Sequence, residues 1–236
     1  MSRSVKLHKE GNRDLNRAFS SLIPSTQITL LNLLNAGIIP SISGSTDMNR
    51  VNSLVNKAVQ NDPSLKINIK QPKPPVGKYA VGGSNYNPKL NKVNLYAPTE
   101  GITAHELGHA KQYSNPKYRK HMAPAAMASR LTMMSGLGIL APVLSDDEKT
   151  AKTSSAIASG LGIPALAEEI HASFKGSQML SKQKGFSKLS KAKKVLHLMK
   201  PFAGMPSYVL TAVLSYLVYK YMKKKGKYAG TYESED

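Results

Sequence analysis

Ala104-His105-Glu106-Leu107-Gly108-His109-Ala110 is the stretch on which the reading of this chain turns. On a helix, residues i and i+4 lie on one face, so two imidazoles at this spacing can meet one cation without strain. Glu106 sits beside them and is placed to reach a water in an open coordination position rather than to bind the metal itself. HExxH therefore predicts zinc held by His105 and His109, with Glu106 as the base of a hydrolytic reaction. Zinc polarises the water, Glu106 takes its proton, and the proton is later passed to the leaving amine of a peptide.

The immediate context supports a helix. Val93 and Leu95 alternate with polar residues and predict a strand. Pro98 ends it, and Thr99 is placed to cap the helix that follows. Asn115-Pro116 closes that helix at about Ser114. Further upstream, Val51, Leu54, Val55, Ala58 and Val59 recur at helical spacing from Asp47, and Asp62-Pro63 stops them. Ile67 and Ile69 predict a second short strand. Pro72, Pro74 and Pro75, then Gly77, Gly82 and Gly83, mark a loop, and Asn87-Pro88 a turn.

Composition narrows the ligand set. There is no Cys among the 236 residues and only six His, which excludes thiolate metal sites, disulfide scaffolds and Cys nucleophiles. Zinc must then find its third ligand among carboxylates or the remaining His. The extended HExxHxxGxxH form fails, because Gln112 and Asn115 stand where Gly and His belong. Asp146 and Asp147 fall in a polar loop. Glu168 and Glu169 open the helical sequence AEEIHASF and are the better pair. Adjacent helical residues point about 100° apart, so one of them should face the metal. Glu169 has Ala172 and Ser173 at i+3 and i+4, small residues that would let this helix approach Gly108, and Glu168 would then face solvent or support the site. His171, two residues from Glu169, should point away. His121 and His197 lie in basic segments with no motif around them.

The 33 Lys+Arg against 14 Asp+Glu give a formal net charge of +19, which favours polyanions such as anionic lipid or nucleic acid. Apolar residues come in blocks. Ala18 to Thr46 carries no charge and reads as a membrane or interfacial helix, or as a buried one. Residues 122–167 read as an apolar helical hairpin, its two uncharged blocks joined by an acidic loop, that dips into or crosses a bilayer or else is buried within a soluble fold. Residues 175–200 are rich in Lys, with Val195, Leu196 and Met199 between, and predict a basic amphipathic surface helix. Residues 201–219 are uncharged, have Tyr near both ends and a Lys stop, and are the best transmembrane candidate. Positive-inside reasoning puts the zinc site on the cytoplasmic face of a membrane. Nucleic acid is a possible but less favoured partner, since no finger, helix-turn-helix or aromatic-interleaved patch stands out.

HELGHA, followed some sixty residues later by Glu169-x-x-Ala172-Ser173 with two apolar blocks between, resembles the membrane-bound neutral zinc metallopeptidases of bacteria. These are gluzincins, related in motif to the CAAX-type and heat-shock-type membrane proteases. Asn85-Tyr86-Asn87-Pro88 and Lys92-Val93-Asn94-Leu95 are similar to the strand and turn before the zinc helix in that family. The resemblance covers roughly residues 47–180. It implies His105, His109 and Glu169 as zinc ligands, Glu106 as base, and a protein or peptide substrate pairing along strand 92–96 as a sheet edge. One departure is plain: those proteases usually carry Asp where Ser173 stands.

The expected architecture is mostly α with a small β-sheet, a zincin-like catalytic core over 47–180 with a helical hairpin and membrane helices. A tail with a possible membrane segment precedes it (1–46), and a basic segment with the transmembrane candidate follows (181–236). The expected function is a zinc endopeptidase acting at or near a membrane. The alternatives are a basic membrane-inserting or nucleic-acid-associated protein whose zinc site does no chemistry.

Overall fold

The computed structural model describes residues 47–70, 84–96, 98–134, 144–203 and 205–228. The membrane or interfacial segment expected over 18–46 and the Pro/Gly loop over 72–83 lie outside the described residues. What is described is mostly helical with one three-stranded sheet, the α+β architecture expected, and it falls into two compact units.

The first unit takes the described parts of Asn32–Ala126 and Leu166–Tyr208. Helix α1 (Met48–Asn61) starts at Asp47, whose carboxylate accepts from Asn49 N at 3.0 Å. It buries Val51 and Leu54, as the apolar spacing requires. Strands β1 (Lys66–Lys70), β2 (Asn85–Asn87) and β3 (Lys92–Tyr96) follow. β3 turns its Val93 and Leu95 fully inward. The turn before it is fixed by Asn91 at φ 44, a left-handed conformation that Asn tolerates better than most residues. The Asn91 amide donates to Asp62 at 3.2 Å and to Ser64 at 2.8 Å, tying this turn to the end of α1.

The sheet order is β1-β3-β2, with β1 parallel and β2 antiparallel to β3. The strand at 92–96 is thus the central one, and the expectation that it forms an edge is corrected. The parallel partner β1 comes from well upstream, and alternation within a strand carries no record of such a pairing.

Helix α2 (Glu100–Tyr113) carries the HELGH sequence. Thr99 caps it, accepting from Ile102 N at 3.2 Å. Leu107 and Ala110 pack with Leu54, Leu65, Val93, Leu95 and Leu180 in one core, where each buried Leu contributes about 1.5–3 kcal/mol. Asn115 ends the run and caps α3 (Pro116–His121) with its side chain. Helix α6 (Ile163–Ser181) lies across α2. The chain then makes a short 3-10 turn (Phe186–Lys188), helix α7 (Lys191–Met199) and a second 3-10 turn (Lys200–Phe202). The basic stretch over 175–200 is therefore broken at Gly185, φ 89, instead of forming one long amphipathic helix. Val195 and Leu196 stay exposed while His197 is the buried side chain of α7.

The second unit takes the described parts of Met127–Ala165 and Val209–Asp236. It holds most of α4 (Ala123–Met134), α5 (Glu148–Leu161) and α8 (Met205–Lys224). Ala151, Tyr219, Met222 and Tyr228 form its core. Asp147 caps α5 by accepting from Thr150 N at 2.7 Å. Glu148 accepts from Tyr219 Oη at 3.0 Å and pairs with Lys223.

The membrane helices and the membrane localisation expected from the sequence are corrected. Among the described residues no helix is long and apolar enough to cross a membrane. The physical reasons differ by segment. In the 201–219 candidate, Pro201 is used in the 3-10 turn and α8 begins only at Met205. The uncharged helical run before Lys220 is then short of the ~20 residues a span needs. In the 122–167 hairpin, the second block breaks at Gly162, and the helix that follows carries Glu168 and Glu169. Residues 135–143 of the first block lie outside the described residues.

Candidate metal centre

The site is built where α2 and α6 cross. A Cβ on Gly108 would fall 2.0 Å from the Ala172 carbonyl oxygen, and one on Gly176 would fall 2.6 Å from the Ala104 carbonyl oxygen. The two helices thus run antiparallel in backbone contact, and only glycine fits at either point. This close approach brings the α6 side chains at 169 and 173 up to the imidazoles of α2.

His105 Nε2 lies 3.0 Å and His109 Nε2 3.3 Å from the same oxygen, Oε2 of Glu169. One ligand atom from each of the three residues falls within 4.8 Å of the others. Atoms bound about 2.0–2.1 Å from a tetrahedral zinc stand about 3.4 Å apart, so this spacing fits the ion with small adjustments. His109 and Glu169 are buried, and His105 is partly so. On its other side, His105 Nδ1 lies 2.9 Å from Ser173 Oγ, and Ser173 Oγ donates to the Pro201 carbonyl at 3.1 Å.

The electrostatics call for a positive centre. Two ring nitrogens converge on one carboxylate oxygen, which only accepts, so each must bring a proton or share a cation there. Burial alone would raise the Glu169 pKa, but the hydrogen bonds from His105 and His109 outweigh it and hold the carboxyl well below its usual range. Burial likewise pushes His105 down, yet the Glu169 hydrogen bond, the charges of Glu106 and Glu169, and the Pro201 carbonyl together raise it. A neutral nitrogen, a second one and a buried carboxylate form a donor set of the kind zinc takes.

Glu106 is buried next to His105 and close enough for its charge to favour imidazolium there. Glu168 is also buried, so the expectation that it faces either solvent or the site narrows to the interior. His171 is half-buried, its ring 6.1 Å from that of Tyr118. Burial, then the charges of Lys175 and His109, hold it below the ordinary His value, so it favours the neutral form. His121 is exposed, as a residue in a basic segment should be.

A second charged cluster, which no sequence signal pointed to, sits at the start of α2. Glu100 is almost fully buried and pairs with Lys200. Arg50 Nη1 lies 3.7 Å from its Oε2 and His197 Nε2 3.7 Å from its Oε1. Burial pushes His197 down, Glu100 pulls it up, and Lys200 and Arg50 push it down again, with a net lowering. His197 is thus a neutral neighbour of Glu100, whose charge Lys200 answers. Glu100 and Lys200 lie a hundred residues apart in the chain, and only the fold joins them.

No protein-family model, curated protein or solved structure matches this chain. The functional reading therefore rests on the site's own chemistry.

Proposed function

We propose that this protein is a zinc-dependent peptidase of the gluzincin type, in which His105, His109 and Glu169 hold the metal and Glu106 is the general base. The observation that carries the reading is the meeting of two α2 imidazoles and one α6 carboxylate oxygen at 3.0 and 3.3 Å. On this reading the sheet, α2 and α6 make up a zincin-like core. Bound zinc would supply a Lewis acid and lower the pKa of a water to about 7.

The chain's own residues do the rest. Glu106 leaves the two imidazoles free to bind, because its position between them in sequence directs it elsewhere around α2. Its carboxylate accepts the proton of the attacking water and returns it to the departing amine, so that proton is conserved through the reaction. Glu169 contributes the charge that offsets part of the cation's charge in a buried place, where an unmatched charge is costly.

The test is zinc loading followed by incubation with a mixed fluorogenic peptide library. Stoichiometric zinc and cleavage abolished by Glu106→Gln would support the reading. Zinc binding with cleavage that Glu106→Gln leaves unchanged would remove Glu106 from its role. Zinc binding with no cleavage of any peptide would turn the reading toward a non-catalytic zinc site.

A further inference from the structure

Over its last turns α8 mixes Tyr with Lys, and the helix sorts what the linear sequence leaves mixed. At about 100° per residue, Ser215, Tyr219 and Met222 fall on one side, and all three are buried. Tyr216, Lys220, Lys224 and Tyr221 follow one another around the opposite side, at about 0°, 40°, 80° and 140° from Tyr216, and all four are exposed. Two lysines thus lie between two rings. Tyr216 is 36% and Tyr221 46% exposed. Lys220 Nζ stands 5.6 Å from the centroid of the Tyr216 ring, and Lys225 Nζ 5.8 Å from that of Tyr221. The carboxylates of the neighbouring helix start are engaged elsewhere: Asp147 caps α5, and Glu148 pairs with Lys223 at the border of this arc. Among the described residues no carboxylate pairs with Lys220, Lys224 or Lys225.

We propose that this face of α8 binds single-stranded nucleic acid, with phosphates over Lys220 and Lys224 and unpaired bases on Tyr216 and Tyr221. The proposal is independent of the metal site. The helix dipole accounts for lysines in the last turn. It does not account for rings left in water, where a large aromatic gains nothing from burial. A single strand offers the two chemistries that this face presents: phosphates for the ammonium groups, and on every base a π-face for the rings. An exposed Lys over a Tyr ring is a weak contact, so the ammonium can turn to a phosphate and uncover the ring for a base. A duplex keeps its bases stacked and would leave the rings unused.

A lipid surface fits this face less well. A helix lying among headgroups buries an apolar face and keeps its cations on the other side. Here the lysines occupy the middle of the exposed arc, with Leu217 as the aliphatic side chain between them.

The test uses the full chain and a fluorescein-labelled oligothymidylate of about 12 nucleotides, a length within the usual site sizes. Anisotropy titrations run between about 50 and 200 mM salt. The variants are Tyr216→Leu with Tyr221→Leu, Lys220→Gln with Lys224→Gln, and, for equal loss of charge in the other unit, Lys191→Gln with Lys193→Gln. All six positions are exposed, and circular dichroism checks that each variant is folded. The tyrosine pair should weaken binding about 10-fold or more. The α8 lysine pair should reduce the salt slope by about 1.4, and the α7 pair should change it less. The chain has no Trp, so its Tyr emission can be read directly; the oligonucleotide should quench it in the wild type and less in the tyrosine pair. An affinity that the tyrosine changes leave intact, or that falls equally with either lysine pair, would overturn the proposal. So would binding to equimolar phosphatidylcholine–phosphatidylserine vesicles, lost in the α8 lysine pair, with no binding of the oligonucleotide; that outcome would assign the face to a lipid surface.

Discussion

The α2–α6 crossing and the α5–α8 core are both helical contacts, yet they are made of opposite materials. The first is lined by Gly108, Gly176, Ala104 and Ala172, and encloses His105, His109 and Glu169. The second packs Ala151 against Tyr219, Met222 and Tyr228, with the Glu148–Lys223 ion pair at its rim. Aromatic and apolar contacts stabilise by area, and such a core tolerates substitution of similar volume. Backbone-to-backbone contact around buried ionisable groups is costly and unforgiving. The difference is that the first contact is made by backbone approach around buried ionisable groups and the second by side-chain packing.

The comparison breaks most sharply at glycine. Gly108→Ala forces a methyl to within 2.0 Å of the Ala172 carbonyl, so α2 and α6 must part. We expect a loss of about 3 kcal/mol or more in chemical denaturation, with loss of zinc binding. Gly160→Ala in α5 meets nothing within 4 Å. It should be neutral or stabilise by up to about 1 kcal/mol, through helix propensity. Equal effects at the two positions would contradict the contrast.

Next in size is the response to metal. Zinc at about a hundred times its dissociation constant should stabilise the folded protein by about 2.7 kcal/mol. Hydrogen exchange should place that protection in α2 and α6 and leave α5 unchanged. Glu169→Gln should abolish the shift. A zinc-induced shift that survives this change would place the metal elsewhere.

The smallest expected effect is in pH. The folded pKa of His197 is lowered, so its contribution to stability is complete above the unfolded value near 6.5. It is lost as pH falls through the lower folded value. Glu148 is also lowered, so its contribution persists until pH drops below the ordinary carboxylate range, and salt should weaken it. His197→Gln should flatten the stability profile just below pH 6.5, whereas Glu148→Gln should flatten it only in stronger acid. Denaturant midpoints taken from about pH 2 to about pH 7 in both variants measure this; identical profiles would contradict the assignment.

How much of this was legible follows from distance along the chain. The HELGH face, the Thr99 cap, the Asn115-Pro116 stop and the small residues after Glu169 are local signals, readable within a turn or two of helix. They led to the residues that the fold gathers at the crossing. The central place of β3 is not legible in its own residues, because its parallel pairing with β1 is non-local. Uncharged composition does not record where a helix begins or breaks; among the described residues α8 begins only at Met205 and the second block of the hairpin breaks at Gly162, and no helix is long and apolar enough to cross a membrane. The Glu100–Lys200 pair and the Pro201 carbonyl had no sequence signature at all, since a carbonyl has no side chain to read and the pair spans the chain.

The central claim is that three side chains from two helices hold one zinc and that Glu106 works on its water. Zinc content and peptide cleavage, measured together on wild type, Glu169→Gln and Glu106→Gln, test it most directly. The account predicts about one zinc per chain in the wild type, none retained in Glu169→Gln, and zinc retained without cleavage in Glu106→Gln. A wild-type chain that binds no zinc under metal-replete conditions, or a Glu106→Gln variant that cleaves as well as the wild type, would contradict it.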